Sequence, residues 1–136
     1  MPVLRGVPRS GGPAAKRRVL LVDEDPLVRL AVDRQLEALG WEAVPVNSGA
    51  EAIRVVELGL NIEVLLTDLL LPDLDGVTIA WAVTRLSRRT RIIFMAAHAP
   101  VEPLEPRGAP LLLKPFSTPA LGRALEAAVL MVPGGR

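Results

Sequence analysis

Residues 62–76 read IEVLLTDLLLPDLDG. Val64, Leu65 and Leu66 form a continuous apolar run, and Asp68 closes it. A short run without polar alternation marks a strand buried on both faces, as in a parallel sheet. The segment carries three aspartates. Asp68 stands at the carboxyl end of the strand. Asp73 and Asp75 lie beyond Pro72, in a turn shaped by Pro72 and Gly76, where Asp75 is placed to cap the next helix.

The same pattern repeats outward from this segment. Val19–Val22 is a second apolar run, followed by Asp23, Glu24 and Asp25. Asp25 suits an N-cap and Pro26 a first helical position, and Gly40 ends the helix. A strand is expected over Trp41–Val46. Pro45 cannot donate to a ladder, which puts that strand at a sheet edge. A turn at Asn47–Gly49 leads to a helix stopped by Gly59. After Gly76 a third helix is expected through Arg89, with Trp81 on its core side. Strands follow over Arg91–Ala97 and Ala109–Lys114, the first ending near Ala96 and His98. A last helix begins at Ser117 or Thr118. Residues 98–108 hold Pro100, Pro103 and Pro106, a spacing that breaks every helical turn, so this crossover is expected to be irregular.

Strands alternating with helices imply an α/β fold, a doubly wound parallel sheet with right-handed crossovers. In such sheets the site lies at the carboxyl ends of the strands. Those ends carry Asp23, Glu24, Asp68 and Lys114. Gathered carboxylates repel one another and favour a bound cation, and oxygen ligands suit Mg2+. A carboxylate can act as a nucleophile toward a phosphoryl group, and a lysine can pair with its oxygens.

Composition bounds the remainder. The chain has 136 residues and a net charge of +1, with no cysteine, which excludes disulfides and Cys-based metal sites. Residues 1–18 hold five basic residues and no acid, whereas the remainder holds 11 basic and 15 acidic residues. Residues 1–16 are read as a disordered basic leader, residues 17–132 as one domain and residues 133–136 as a flexible C-terminus. Neither a membrane span nor a signal-peptide core is visible, so a cytoplasmic location without membrane or nucleic-acid partners is expected.

VLLVDEDP, LLTDLLLPDLDG and LLLKPFS together resemble the signature stretches of the receiver domain of bacterial two-component response regulators. The resemblance implies a five-stranded flavodoxin-like sheet of order 2-1-3-4-5 and a stand-alone, atypical signalling module rather than an enzyme. It implies that Asp68 accepts a phosphoryl group from a sensor histidine kinase or phosphotransfer protein. It assigns Mg2+ to Asp23, Glu24, Asp68 and the Leu70 carbonyl, phosphoryl contact to Lys114, and a usually cis bond to Pro115. A downstream protein target is implied, and a homodimer is compatible with it.

Three positions and one helix depart from that pattern. Glu24 replaces the usual aspartate of the acidic pair. Ala96 stands where a hydroxyl residue normally follows the phosphoryl group, and Leu111 where an aromatic switch residue is usual. The fourth helix is short or absent. His98 is a further residue at the site mouth. These departures keep a second reading open, a pseudo-receiver that binds a partner without phosphorylation. A third reading takes DLDGVT, Asp73–Thr78, as the nucleophile motif of haloacid-dehalogenase-type phosphohydrolases. That motif must follow a buried strand directly, whereas here the strand has ended at Asp68 and Pro72 intervenes.

Overall fold

A computed structural model describes residues 17–130. The expected leader over residues 1–16 and the C-terminus over 133–136 lie outside the described residues. Five strands and four helices alternate: β1 (Arg18–Val22), α1 (Pro26–Ala38), β2 (Glu42–Val46), α2 (Gly49–Glu57), β3 (Val64–Asp68), α3 (Gly76–Leu86), β4 (Arg91–Ala96), β5 (Leu111–Leu113) and α4 (Thr118–Val129). All pairings are parallel, in the order β2-β1-β3-β4-β5. β2 is an edge strand with Pro45 opposite Leu21, where the missing N–H costs no central ladder bond.

The central strands are buried on both faces because helices cover both. Alternate β1 residues serve opposite cores. Val19 and Leu21 pack with Val32, Leu36, Leu121 and Leu125 beneath α1 and α4. Leu20 and Val22 pack with Ala52, Val56, Ile79 and Val83 beneath α2 and α3. Each helix start is satisfied by a side chain. Asp25 accepts from the Leu27 amide, Ser48 from Glu51, Asp75 from Thr78 and Ser117 from Ala120. Gly40 and Gly59 follow α1 and α2 at φ 86° and 88°, the left-handed conformation that glycine reaches without a Cβ clash.

The structure trims several expected elements. β2 starts at Glu42, while Trp41 packs on the α1–α4 core with the Arg17 guanidinium 5.6 Å from its ring centroid. β3 starts at Val64, and just before it the Ile62 carbonyl accepts from the Thr90 hydroxyl at 2.8 Å. β5 is three residues rather than six, and Pro110 contributes only its carbonyl, to Phe94. α3 stops at Leu86, where Ser87 turns to extended backbone, so Arg88 and Arg89 lie past its end. Trp81 corrects the reading that placed it in the core: it is 51% exposed. The residues that α3 buries are Gly76, Ile79, Ala80 and Val83. Ile79 faces the Gly49 turn of α2, and Trp81 lies about 200° around the helix from it.

The crossover between β4 and β5 contains no helix, as its prolines require. Leu104, Ala109 and Leu111 fold it onto the α2–α3 core, while Val101 is fully exposed.

Candidate functional site

The parallel sheet brings the ends of β1, β3 and β5 to one edge, although their side chains are far apart in sequence. Lys114, just past β5, places its Nζ 3.0 Å from Asp23 Oδ2 and 2.7 Å from Asp68 Oδ2. Asp23 is 1% exposed. Its Oδ1 accepts from the Asp25 amide at 2.9 Å. Among the described residues, Asp68 Oδ1 has only a long bond from the Leu70 amide, 3.3 Å. Two carboxylates therefore share one ammonium, and one oxygen of Asp68 is weakly held. The Lys114 ammonium feels opposing influences. Burial would lower its pKa, but hydrogen bonds and charge from Asp68 and Asp23 raise it above the ordinary lysine value.

The loop after Asp68 is tied at both ends. The Leu69 amide bonds to Met95 in β4, and the Gly76 amide returns to the Leu69 carbonyl at 2.8 Å. Gly76 permits that return, since a Cβ there would meet the Asp68 carbonyl oxygen at 2.5 Å. The Lys114 amide donates to the Ala96 carbonyl at 2.8 Å, and the Lys114–Pro115 bond is cis.

Asp73 has a structural task that the sequence reading missed. Its carboxylate accepts from Gly49 and Ala50 at 3.0 and 2.9 Å, across 24 and 23 residues, and so caps α2 from another loop. Those amides, with Leu74, lower its pKa. A depressed carboxylate stabilises above its unfolded value and loses that contribution as pH falls through the folded one. The Gly49 and Ala50 amide resonances should accordingly titrate together with a midpoint below 3.8, the ordinary value, in a pH series by NMR. A midpoint at or above that value would contradict the tether. A carboxylate so engaged is poorly placed to be the nucleophile of a phosphohydrolase motif.

The remaining expected residues are placed as follows. Glu24 is exposed and does not join Asp23 and Asp68, since no group of three or more His, Cys, Asp or Glu side chains suited to a metal occurs among the described residues. The two remaining carboxylates still suit Mg2+, which commonly takes one or two carboxylates and completes its shell with water and phosphate oxygens. Leu70 is 79% exposed at the site rim, and His98 is exposed in the loop after β4. Ala96 is buried and offers no side-chain donor. Thr67 cannot substitute, because its hydroxyl donates to the Asp68 backbone carbonyl at 2.9 Å. Leu111 is partly buried against the α2–α3 core.

The family model described as the response regulator receiver domain matches residues 19–126. The chain belongs to the response regulator receiver domain family. Among the receiver's relatives, the response regulator receiver protein CpdR of Brucella abortus is 30% identical over 115 residues, covering 81% of this chain and 94% of that protein. The sensor kinase CckA of the same organism is 29% identical over 115 residues, covering 79% of this chain but only 12% of that kinase. Solved receiver folds superpose closely. A response regulator receiver protein from Sinorhizobium medicae aligns with a TM-score of 0.76 at 24% identity, covering 85% of this chain and 95% of that one. The chemotaxis protein CheY4 of Vibrio cholerae aligns with a TM-score of 0.73 at 25% identity, covering 84% and 99%. No helix among the described residues is long and apolar enough to cross a membrane.

Proposed function

We propose that this receiver takes a phosphoryl group onto Asp68 from a partner histidine kinase or phosphotransfer protein, in the presence of Mg2+. The observation that carries the reading is Lys114 bridging Asp23 and Asp68 at 3.0 and 2.7 Å. In this reading an Asp68 oxygen forms the new O–P bond while the N–P bond of a phosphohistidine breaks, returning the electron pair to the imidazole. Lys114 pairs with the phosphoryl oxygens as they arrive. Asp23 and Asp68 would hold Mg2+, which supplies positive charge between the carboxylate and the incoming anion. Glu24, exposed beside Asp23, and the Leu70 carbonyl belong to this proposal as further ligands. His98, at the mouth, is assigned an influence on phosphoryl lifetime. The kinase partner is supported by relatives that include a receiver protein and a sensor kinase. A cytoplasmic location and a downstream protein target complete the reading.

A second reading is favoured by Ala96, which supplies no hydroxyl to follow the phosphoryl group, and by the helix-free crossover. A switch needs two states that interact differently with its ligand. In that reading the domain binds a partner without needing phosphorylation. Amide NMR with Mg2+ and beryllofluoride, a phosphoryl mimic, tests both. Shifts at Asp23–Asp25, Asp68–Leu70 and Lys114, absent in Asp68→Asn, are expected. Shifts confined to these residues mean a site without a relay, whereas shifts reaching residues 97–110 mean a working one. A silent wild-type spectrum would remove the phosphoacceptor reading and leave the second.

A further inference from the structure

Arg29 occupies the fourth position of α1 and is half-buried. Its Nη1 donates to the Asp23 carbonyl at 2.7 Å and to the Glu24 carbonyl at 3.0 Å. These two carbonyls lie between the end of β1 at Val22 and the N-cap at Asp25. The peptide links on which the acidic pair hangs are thus gripped by one guanidinium nitrogen through charge-assisted bonds. Asp23 is then fixed from three directions: its carbonyl by Arg29, its Oδ1 by the Asp25 amide and its Oδ2 by Lys114. Arg29 touches neither carboxylate in these bonds.

We propose that Arg29 is a positioning residue for divalent-cation binding: it holds the β1–α1 loop so that the Asp23 carboxylate stays beside Asp68, ready to receive the cation. The inference rests on the phosphoacceptor reading given above. Charge alone argues the other way. A guanidinium bonded to the Asp23 and Glu24 carbonyls repels an incoming cation, so its removal would tighten binding if electrostatics were its whole effect. The sign of the mutational effect therefore separates the two roles.

The test compares wild type with Arg29→Lys, which keeps the charge but not the guanidinium, and Arg29→Ala, which loses both. Mg2+ affinity is read by titrating the Asp23 and Glu24 amide resonances, with melting temperature recorded in metal-free buffer. Both variants are expected to bind Mg2+ about tenfold or more weakly, the range typical of groups that orient metal ligands. Labelling of Asp68 by a small acyl phosphate should return to the wild-type rate at saturating Mg2+. Tighter binding by Arg29→Ala with unchanged Arg29→Lys would overturn the inference, as would a lowered melting temperature with unchanged Mg2+ affinity. Wild-type protein that binds no Mg2+ would instead sink the parent reading, and this inference with it. Should Arg29→Ala fail to fold, Arg29→Lys still decides the matter.

Discussion

Lys114→Ala is expected to slow acyl-phosphate labelling of Asp68 by about a hundredfold, the scale of losing one fixed charge-stabilising donor. The same substitution should destabilise the metal-free protein by about 2 kcal/mol. Breaking a fully buried pair costs about 3–5 kcal/mol, and the smaller figure allows for partial solvent screening of the ammonium. Asp23 would remain buried beside Asp68 with their shared counter-charge gone, and added Mg2+ should recover part of the loss. Alkaline titration gives an independent signature. Because the folded Lys114 pKa lies above the ordinary 10.5, its stabilisation is complete below that pH and fades as pH rises through the folded value. Urea denaturation of wild type should show this alkaline loss, and Lys114→Ala should show less of it. Equal labelling rates for the two proteins would refute the assigned role.

Gly76→Ala should destabilise the fold by about 2 kcal/mol, within the range for overpacking a closed site. The new Cβ would stand 2.5 Å from the Asp68 carbonyl oxygen and 3.0 Å from Leu69 Cα. Both are backbone atoms, so no rotamer change relieves the clash. The end of β3 must move, and Asp68 with it. Slower labelling should therefore accompany the lower melting temperature. Gly49→Ala is the control. Its Cβ would meet the Ile79 and Leu74 side-chain carbons at 2.9 Å, and those ends can shift. A Gly76→Ala protein as stable and as reactive as wild type would contradict this account of the loop.

Much of this architecture was legible because each strand is a continuous apolar run and each helix opens on a capping residue. Val64–Leu66 and Val19–Val22 read as strands covered on both faces, which pointed to the layers. Pro45 pointed to the edge and the prolines at 100, 103 and 106 to an irregular crossover. The carboxyl-end rule then brought Asp23, Asp68 and Lys114 to one place. What escaped the sequence was long-range and side-chain-specific. Asp73 looked like a turn residue, yet it caps α2 through amides more than 20 positions away. Arg29 carries no motif that singles it out, yet it grips two loop carbonyls. Trp81 was assigned to the core by its apolar neighbours Val77, Ala80 and Val83. The stricter spacing of Ile79, Ala80 and Val83, with Gly76, would have left it on the exposed flank. Glu24 followed Asp23 in the chain and was grouped with it, but adjacent residues at a strand-to-helix turn need not point together.

Of Asp68, Asp73 and Asp75, only Asp68 is expected to react. The direct measurement is incubation with a small acyl phosphate and Mg2+, read by intact mass and then by peptide mapping. The prediction is one phosphoryl group per chain, located on Asp68, lost on chelating Mg2+ beforehand and absent in Asp68→Asn. No adduct on wild type, or an adduct that persists in Asp68→Asn, would contradict it.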